Sequence, residues 1–526
     1  MKKKIIIGTR GSQLALWQAY FTRNQLQELG HEVELKIIKT KGDKIQHLSF
    51  DKIEGKGFFT KEIESELLAG TIDLAVHSYK DLPTENPKGL VITANSYRAN
   101  PYDCLVIHSD AFRSYQPFQL KKNAIVGTSS ARRKAQLLAQ RPDFQIRDIR
   151  GNVPTRIKKI EGEYDAIVLA AAGLERLELD LGTYHKITFS TQQMIPAASQ
   201  GVLAFQTREL DAEIRAILQH IHDPKVEKAI GVERSILNQL GGGCHQPIGV
   251  YCDYSSENKG YKAWASVAKN WNDFPKRIFI EGKNQANIIA EVMEGLRDKT
   301  PKSVFISRDL EEDSYFAKAM SSNGYEVHAK SLISFNWLDF DTDVEGDWLF
   351  FSSRNGVRFF FEQNPMLPER FRVAALGEGT ASELRERGFE SSFIGEGSDT
   401  AAIAEEFGEW VMERNKGSRV VFPIAKKSLR GIQKVLEKNF KGKIEVQDLV
   451  VYSNRVKSNF KIPSCNILVF TSPLNVKTYC KKYAIEAHQT VVSIGKTTGK
   501  ALEEVGCKNY RLASNPSEIA LADCCW

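Results

Sequence analysis

The chain of 526 residues predicts an α/β protein built from paired, similar lobes. Three observations lead there. A short β-branched strand, a Gly-Thr turn and a helix occupy Ile5–Leu29, and the same layout returns at Ala124–Ala139. The C-terminal half carries a repeat of its own. Leu349–Ser353 matches Leu468–Ser472, and Leu376–Gly388 matches Ile494–Gly506, each about 120 residues apart. Finally, the chain is too long for one core. At roughly 100–200 residues per domain it should hold three to five domains.

Composition narrows the class. Hydrophobic content of 42% and charged content of 26% suit a soluble enzyme. A net charge of +7 is modest for this length, so no nucleic-acid partner is expected. Cysteines fall at positions 104, 244, 252, 465, 480, 507, 524 and 525 with no C-x-x-C pair, which argues against metal and disulfide frameworks and for a reducing cytoplasm. Met1-Lys-Lys-Lys is followed by only three apolar residues, too few for a signal sequence, and no later run reaches membrane-spanning length.

In chain order, Gly8-Thr9-Arg10-Gly11-Ser12 turns from the first strand into the helix Gln13–Leu29, and Gly127-Thr128-Ser129-Ser130 does the same before Ala131. Free backbone amides and hydroxyls converge at such helix starts and make them anion sites. Thr71–Ser78 and Glu163–Ala170 echo each other as strands ending in small residues. Two lobes presenting strand ends to a shared cleft is the economical arrangement. Arg132 and Arg133 lie in a first helical turn, where they oppose the dipole, with Arg150 and Arg156 just beyond. Four arginines there point to a ligand bearing several carboxylates or phosphates. Lys80-Asp81 follows a strand end and is either a structural ion pair or a carboxylate aimed into the cleft. Asp51–Gly57, which includes Lys56, has the composition of a mobile loop able to close over it.

The helix Ala229–Leu240 leads into Leu240-Gly-Gly-Gly-Cys-His-Gln-Pro-Ile-Gly249. Three glycines free the backbone for positive φ and close approach, so Cys244 is held on a loop. Taken alone it is either a small apolar filler or an exposed nucleophile. Strands follow near Val250–Tyr254, Ala263–Val267 and Arg277–Glu281, then a helix at Ala286–Arg297 and a charged, proline-bearing linker at Asp298–Lys302.

These motifs resemble one family. Gly8–Ala19, Thr40–Asp43, Gly55–Glu62, His77–Pro83, Gly127–Arg133, Arg150–Arg156 and Gly241–Gly249 look like the porphobilinogen deaminases, also called hydroxymethylbilane synthases, over about the first 300 residues. The resemblance implies two periplasmic-binding-protein-like lobes (1–97 with 197–217, and 98–196) and a small α/β domain (218–299). It implies a dipyrromethane cofactor bound to Cys244 through a thioether, the thiolate being a good nucleophile toward the azafulvene left when porphobilinogen loses ammonia. Asp81 becomes the catalytic carboxylate. Arg10, Ser12, Lys56, Lys80, Thr128, Ser129, Ser130, Arg132, Arg133, Arg150, Asn152, Arg156, Gln200 and Gly201 become the residues that bind cofactor and substrate. Two positions depart from the family pattern: Ser199 stands where glycine is usual, and Gln206 where glutamate is common.

The second half resembles uroporphyrinogen-III synthase, a family with few fixed motifs, through its two-lobed α/β layout (300–338 with 456–526, and 339–455). That resemblance implies cofactor-free cyclisation of hydroxymethylbilane with inversion of the last ring. Ser353, Thr380, Ser472 and Thr497 stand at strand ends and helix starts as substrate-binding candidates, simple N-capping being the alternative for each. Tyr452 is the candidate acid for hydroxyl departure, or else a hinge tyrosine packed between lobes. The expectation is a monomeric, cytoplasmic, bifunctional enzyme of heme biosynthesis, acting on porphobilinogen and hydroxymethylbilane without metal, membrane or nucleic acid. A deaminase with a structural C-terminal half is the first alternative. A small-anion binding module is the second, and Cys244 and Asp81 argue against it.

Overall fold

The computed structural model describes residues 4–40, 60–114, 116–242, 246–297, 302–367, 371–395, 399–414 and 417–526. It divides into two compact units, 1–298 with Trp526 and 299–525.

The first unit contains two five-stranded sheets of the same design. One runs, in spatial order, Glu32–Ile37, Lys4–Thr9, Leu74–Ser78, Leu203–Arg208 and Leu90–Asn95. The other runs Gln145–Arg147, Ile125–Gly127, Ala166–Ala170, Asp103–Ile107 and His185–Thr188. In each sheet the fourth strand is antiparallel to both neighbours, and the first three are parallel. Each reversed strand is entered as the chain crosses over from the other lobe. The carboxyl ends of Leu74–Ser78 and Ala166–Ala170 therefore carry the cleft residues. Both faces of these sheets are covered. Along Asp103–Ile107, Leu105 and Ile107 enter one core with Val126, Val168 and Phe189, while Cys104 and Val106 enter another with Ile167 and Leu169.

A third domain follows: the antiparallel strands Ile248–Ser255, Gly260–Val267 and Lys276–Gly282, covered by helices Pro224–Gln239 and Gln285–Leu296. Asp223 caps the first helix through the amides of Lys225 and Val226, and Pro224 takes its first position.

The second unit also has two sheets. Glu326–Ala329, Ser303–Ile306, Ile467–Phe470, Thr490–Ser493 and Arg511–Leu512 are all parallel. The six-stranded sheet runs Ile333–Trp337, Ile444–Val456, Ser418–Ala425, Trp348–Phe351, Arg372–Ala375 and Ser391–Ile394. The internal repeat is visible atom by atom. Ser353 and Ser472 end matching strands with the same φ of −161° and cap the next helix through the amides of Gly356 and Asn475. One element differs from expectation: Ile333–Trp337, grouped by sequence with the first of these lobes, hydrogen-bonds into the six-stranded sheet. The cause is the 13-residue strand Ile444–Val456, long enough to pair parallel with Ser418–Ala425 and then antiparallel with Ile333–Trp337.

Candidate active sites

In the first unit, the strand Leu74–Ser78 ends in a single 3-10 turn, Tyr79–Asp81, fixed by the Tyr79 amide donating to Val202 O at 2.9 Å. Asp81 is exposed there. Lys80 is half-buried and donates to Gln200 Oε1 at 3.2 Å. Burial, with Arg133 and Arg132 adding to it, lowers the Lys80 ammonium to about 8, against the pull of Asp81 and Asp103.

Asp103 was not foreseen and proves central. Its fully buried carboxylate accepts from Arg132 Nη1 at 2.7 Å, from Arg133 Nε and Nη2 at 3.0 and 2.7 Å, and from Gln200 Nε2 at 3.1 Å. Burial opposes its charge, but the two guanidiniums and Lys80 hold it well below the usual carboxylate range. The sequence did carry a signal: an aspartate opening an otherwise apolar strand, Asp103-Cys-Leu-Val-Ile, has to be paired. Arg132 and Arg133, expected to face the ligand, are thus already anchored on an internal acid. Arg156 is held down to about 10 by burial, then by Arg133 and Arg150, with Asp81 opposing, so these four groups lie within electrostatic reach of one another. Arg156 also donates to Gly151 O at 2.8 Å. Arg10 acts electrostatically on His77. Arg176, absent from the expected set, lines a cavity of about 40 Å³ with Lys80, Ser78 and Gly201.

The expected hydroxyl ligands also hold local structure. Ser12, Ser130 and Asn152 cap the helices that begin at Gln13, Ala131 and Val153. Ser129 both donates to and accepts from the Ile149 backbone, at 2.9 and 3.1 Å, and Thr128 Oγ1 accepts from the Ser130 amide. A capping hydroxyl keeps its own proton to donate. Gly201 serves the crossover: at φ +89°, a Cβ there would lie 2.5 Å from Ala99 O.

Cys244, Lys56 and the loop Asp51–Gly57 lie outside the described residues. Both flanks of the cysteine segment are described, and both are tied to the cleft. On the entering helix, Arg234 stacks on the Tyr79 ring at 4.4 Å and donates to Pro83 O, bracketing Asp81. On the leaving side, a Cβ at Gly249 would meet Ile195 O at 2.7 Å and Arg132 Cδ at 3.2 Å, so only glycine permits this approach. The cationic lining fits a ligand that carries several carboxylates.

The two departures have visible consequences. Ser199 is fully buried at φ +60°, and its amide donates to Glu233 Oε2 at 2.6 Å. Glu233 also pairs with Arg98 at 2.6 Å and accepts from the Cys252 amide at 2.7 Å. Gln206 Oε1 meets the buried His77 Nε2 at 3.2 Å. Burial, with the Arg10 charge, lowers that imidazole to about 4.

In the second unit, Tyr452 sits where Ile444–Val456 passes from one strand partner to the other. It is 8% exposed, stacks on Phe359 at 5.1 Å, and its hydroxyl lies 3.5 Å from Ser353 Oγ. Burial raises its phenol. Ser353 caps the helix that follows one strand of this sheet, and Thr380 lies buried in the first turn of the helix Glu378–Glu386. Ser472 occupies the place matching Ser353 in the other sheet, whereas the match of Thr380 is the buried Thr498, and Thr497 is exposed in the first turn of Lys496–Glu504.

Comparison with known proteins follows this division. Residues 5–216 match the porphobilinogen deaminase, dipyromethane cofactor binding domain, and 228–268 match the porphobilinogen deaminase C-terminal domain. A porphobilinogen deaminase from Sulfurimonas denitrificans is 46% identical over 251 residues, 47% of this chain and 79% of that one. One from Bacillus cereus strain B4264 is 40% identical over 315 residues, 59% of this chain and 99% of its own. The chain belongs to the porphobilinogen deaminase family. Residues 314–523 match uroporphyrinogen-III synthase HemD. The uroporphyrinogen-III synthetase of Helicobacter pylori 26695 aligns with 42% of this chain and 97% of its own at 22% identity and a TM-score of 0.31. Deaminase and synthase domains are joined in one chain, a bifunctional enzyme of heme biosynthesis, and its first half is of the kind that uses a dipyrromethane cofactor. Among the described residues, no helix is long and apolar enough to cross a membrane.

Proposed function

We propose that Cys244 carries the dipyrromethane through a thioether and that the cleft beside it assembles hydroxymethylbilane from four porphobilinogens, which the second unit closes to uroporphyrinogen III. The observation that carries this reading is the anchoring of both flanks of the cysteine segment, by Arg234 on the Tyr79–Pro83 turn and by Gly249 against Arg132. Those two flanks meet the turn that carries Asp81 and the arginine cluster, which supports assigning the cofactor to the thiol between them in sequence.

When bound, the cofactor supplies a pyrrole carbon nucleophile. The protein's own groups do the rest. Arg10, Lys80, Arg132, Arg133, Arg150 and Arg156 neutralise acetate and propionate groups, and Lys56 shares that role. Ser12, Thr128, Ser129, Ser130 and Asn152 shape the helix starts that face those groups. Asp81 accepts pyrrole N–H bonds and stabilises the cation formed as porphobilinogen loses ammonia. Its exposure keeps it accessible. Gln200 and Gly201 hold the crossover that sets the cleft. In the second unit, Tyr452 donates a proton to the departing hydroxyl, and Ser353, Thr380, Ser472 and Thr497 orient the bilane. The domain divisions at 97, 197, 217, 299, 338 and 455 belong to the same proposal, with 338 moved to 332 to respect the strand pairing of Ile333–Trp337. The seven described cysteines are all free, which supports a cytoplasmic setting.

Mass spectrometry of the peptide containing Cys244 tests the first half directly. A mass increment of two pyrrole units on that residue is expected, and an unmodified thiol in active protein overturns the assignment.

A further inference from the structure

We propose that Asp103 is a positioning residue of the deaminase reaction: it holds Arg132 and Arg133, and Lys80 through Gln200, in the arrangement that receives the carboxylates of one pyrrole ring. This rests on the reading of the cleft given above.

The geometry leaves little freedom. Arg132 Nη1 donates to both Asp103 and Ile195 O, and Arg133 is held on two sides, by Asp103 through Nε and Nη2 and by Val168 O through Nη1. With five N–H donors each, both keep donors beyond those that anchor them. The Gln200 amide is oriented by its nitrogen, which donates to Pro101 O at 2.7 Å and to Asp103 at 3.1 Å. Its oxygen must then face the ammonium of Lys80, at 3.2 Å. One buried carboxylate thereby aligns three cations drawn from two lobes. The four groups together carry an excess of two positive charges, which matches the acetate and propionate of a single ring. Without the aspartate, three neighbouring cations, two of them buried, repel and no longer share one geometry.

Lys80 gives the proposal a readout beyond simple loss of structure. Among the described residues, the charged groups around it are Asp81 on its own turn, Asp103 on the strand Asp103–Ile107, Arg132 and Arg133 on the helix Ala131–Gln140, and Arg176, which lines the same cavity. Removing the Gln200 acceptor leaves burial and the arginines to disfavour its charge. The full chain is compared with Asp103→Asn, Asp103→Glu and Gln200→Leu, using the intact-mass ladder formed with porphobilinogen and the pH profile of porphobilinogen consumption. Gln200→Leu is expected to load cofactor but to elongate more slowly, and its basic limb moves acid by about one unit, so that its loss is roughly fourfold greater at pH 8 than at pH 6.5. Asp103→Asn is expected to load little cofactor or to stall early on the ladder, and Asp103→Glu to recover elongation. The proposal is overturned if Gln200→Leu keeps the parental basic limb, or if Asp103→Asn elongates at the parental rate. Should Asp103→Asn fail to fold, the Gln200→Leu profile decides. A parental chain without the two-pyrrole mass overturns the underlying reading of the cleft instead.

Discussion

Ser199→Gly should make the deaminase unit more stable without changing its chemistry. Ser199 is held at φ +60° and is fully buried, and its hydroxyl has no hydrogen-bond partner among the described residues. The left-handed backbone costs a residue with a β-carbon about 1 kcal/mol, and an unsatisfied buried hydroxyl costs about 1 kcal/mol more. Glycine gives back roughly 0.5–1 kcal/mol through the greater freedom of the unfolded chain. The net gain is about 1 kcal/mol, or roughly 2 °C in the melting transition of a unit this size. The amide bond to Glu233 survives the change, so the Arg98–Glu233 pair and the crossover stay in place. Calorimetry of the full chain, with Ser199→Ala beside it, separates the two contributions, because alanine removes the hydroxyl and keeps the strain. Glycine should raise the transition while porphobilinogen consumption stays unchanged. A lowered transition for glycine would refute the assignment of strain.

Further predictions follow from the same geometry. His77 is buried and neutral with its pKa near 4 against 6.5 when free, so the unfolded chain takes up a proton that the folded one refuses. Its contribution is complete above pH 6.5 and falls by about 3 kcal/mol as pH drops toward 4, a slope that urea unfolding should show and His77→Gln should lack. Cys244→Ala should fold but never gain the two-pyrrole mass. Asp81→Ala should gain it and then stall on the intact-mass ladder, normal turnover contradicting its role. Tyr452→Phe should slow cyclisation at least a hundredfold with a stability change below about 1 kcal/mol, since its hydroxyl meets only Ser353 among the described residues, at 3.5 Å. An unchanged cyclisation rate would leave Tyr452 as packing between strands.

Local patterns were legible in the sequence, and long-range pairings were not. The helices expected at Gln13 and Ala131 begin at those residues, because Ser12 and Ser130 cap them and the turns before them are written in Gly, Thr and Ser. The matching Ser353 and Ser472 caps make the second repeat equally readable. What escaped depends on partners far along the chain. Nothing local says that Asp103–Ile107 and Leu203–Arg208 enter their sheets reversed, from the opposite lobe. Nor does composition reveal that Arg132 and Arg133 converge on Asp103, about 30 residues earlier, or that Arg98 meets Glu233, 135 residues later. The strand Ile333–Trp337 was grouped with the wrong sheet because its neighbour in sequence is not its neighbour in space. Ser199 and Gln206 were recognised as departures, but only the backbone angle at one and the buried imidazole beside the other show what they cost.

The central claim is that one chain both builds the linear tetrapyrrole and closes it with one ring inverted. Incubating the intact protein with porphobilinogen, oxidising the products and separating the uroporphyrin isomers tests it directly. Predominantly the type III isomer is expected. Formation of the symmetric type I isomer alone would contradict it.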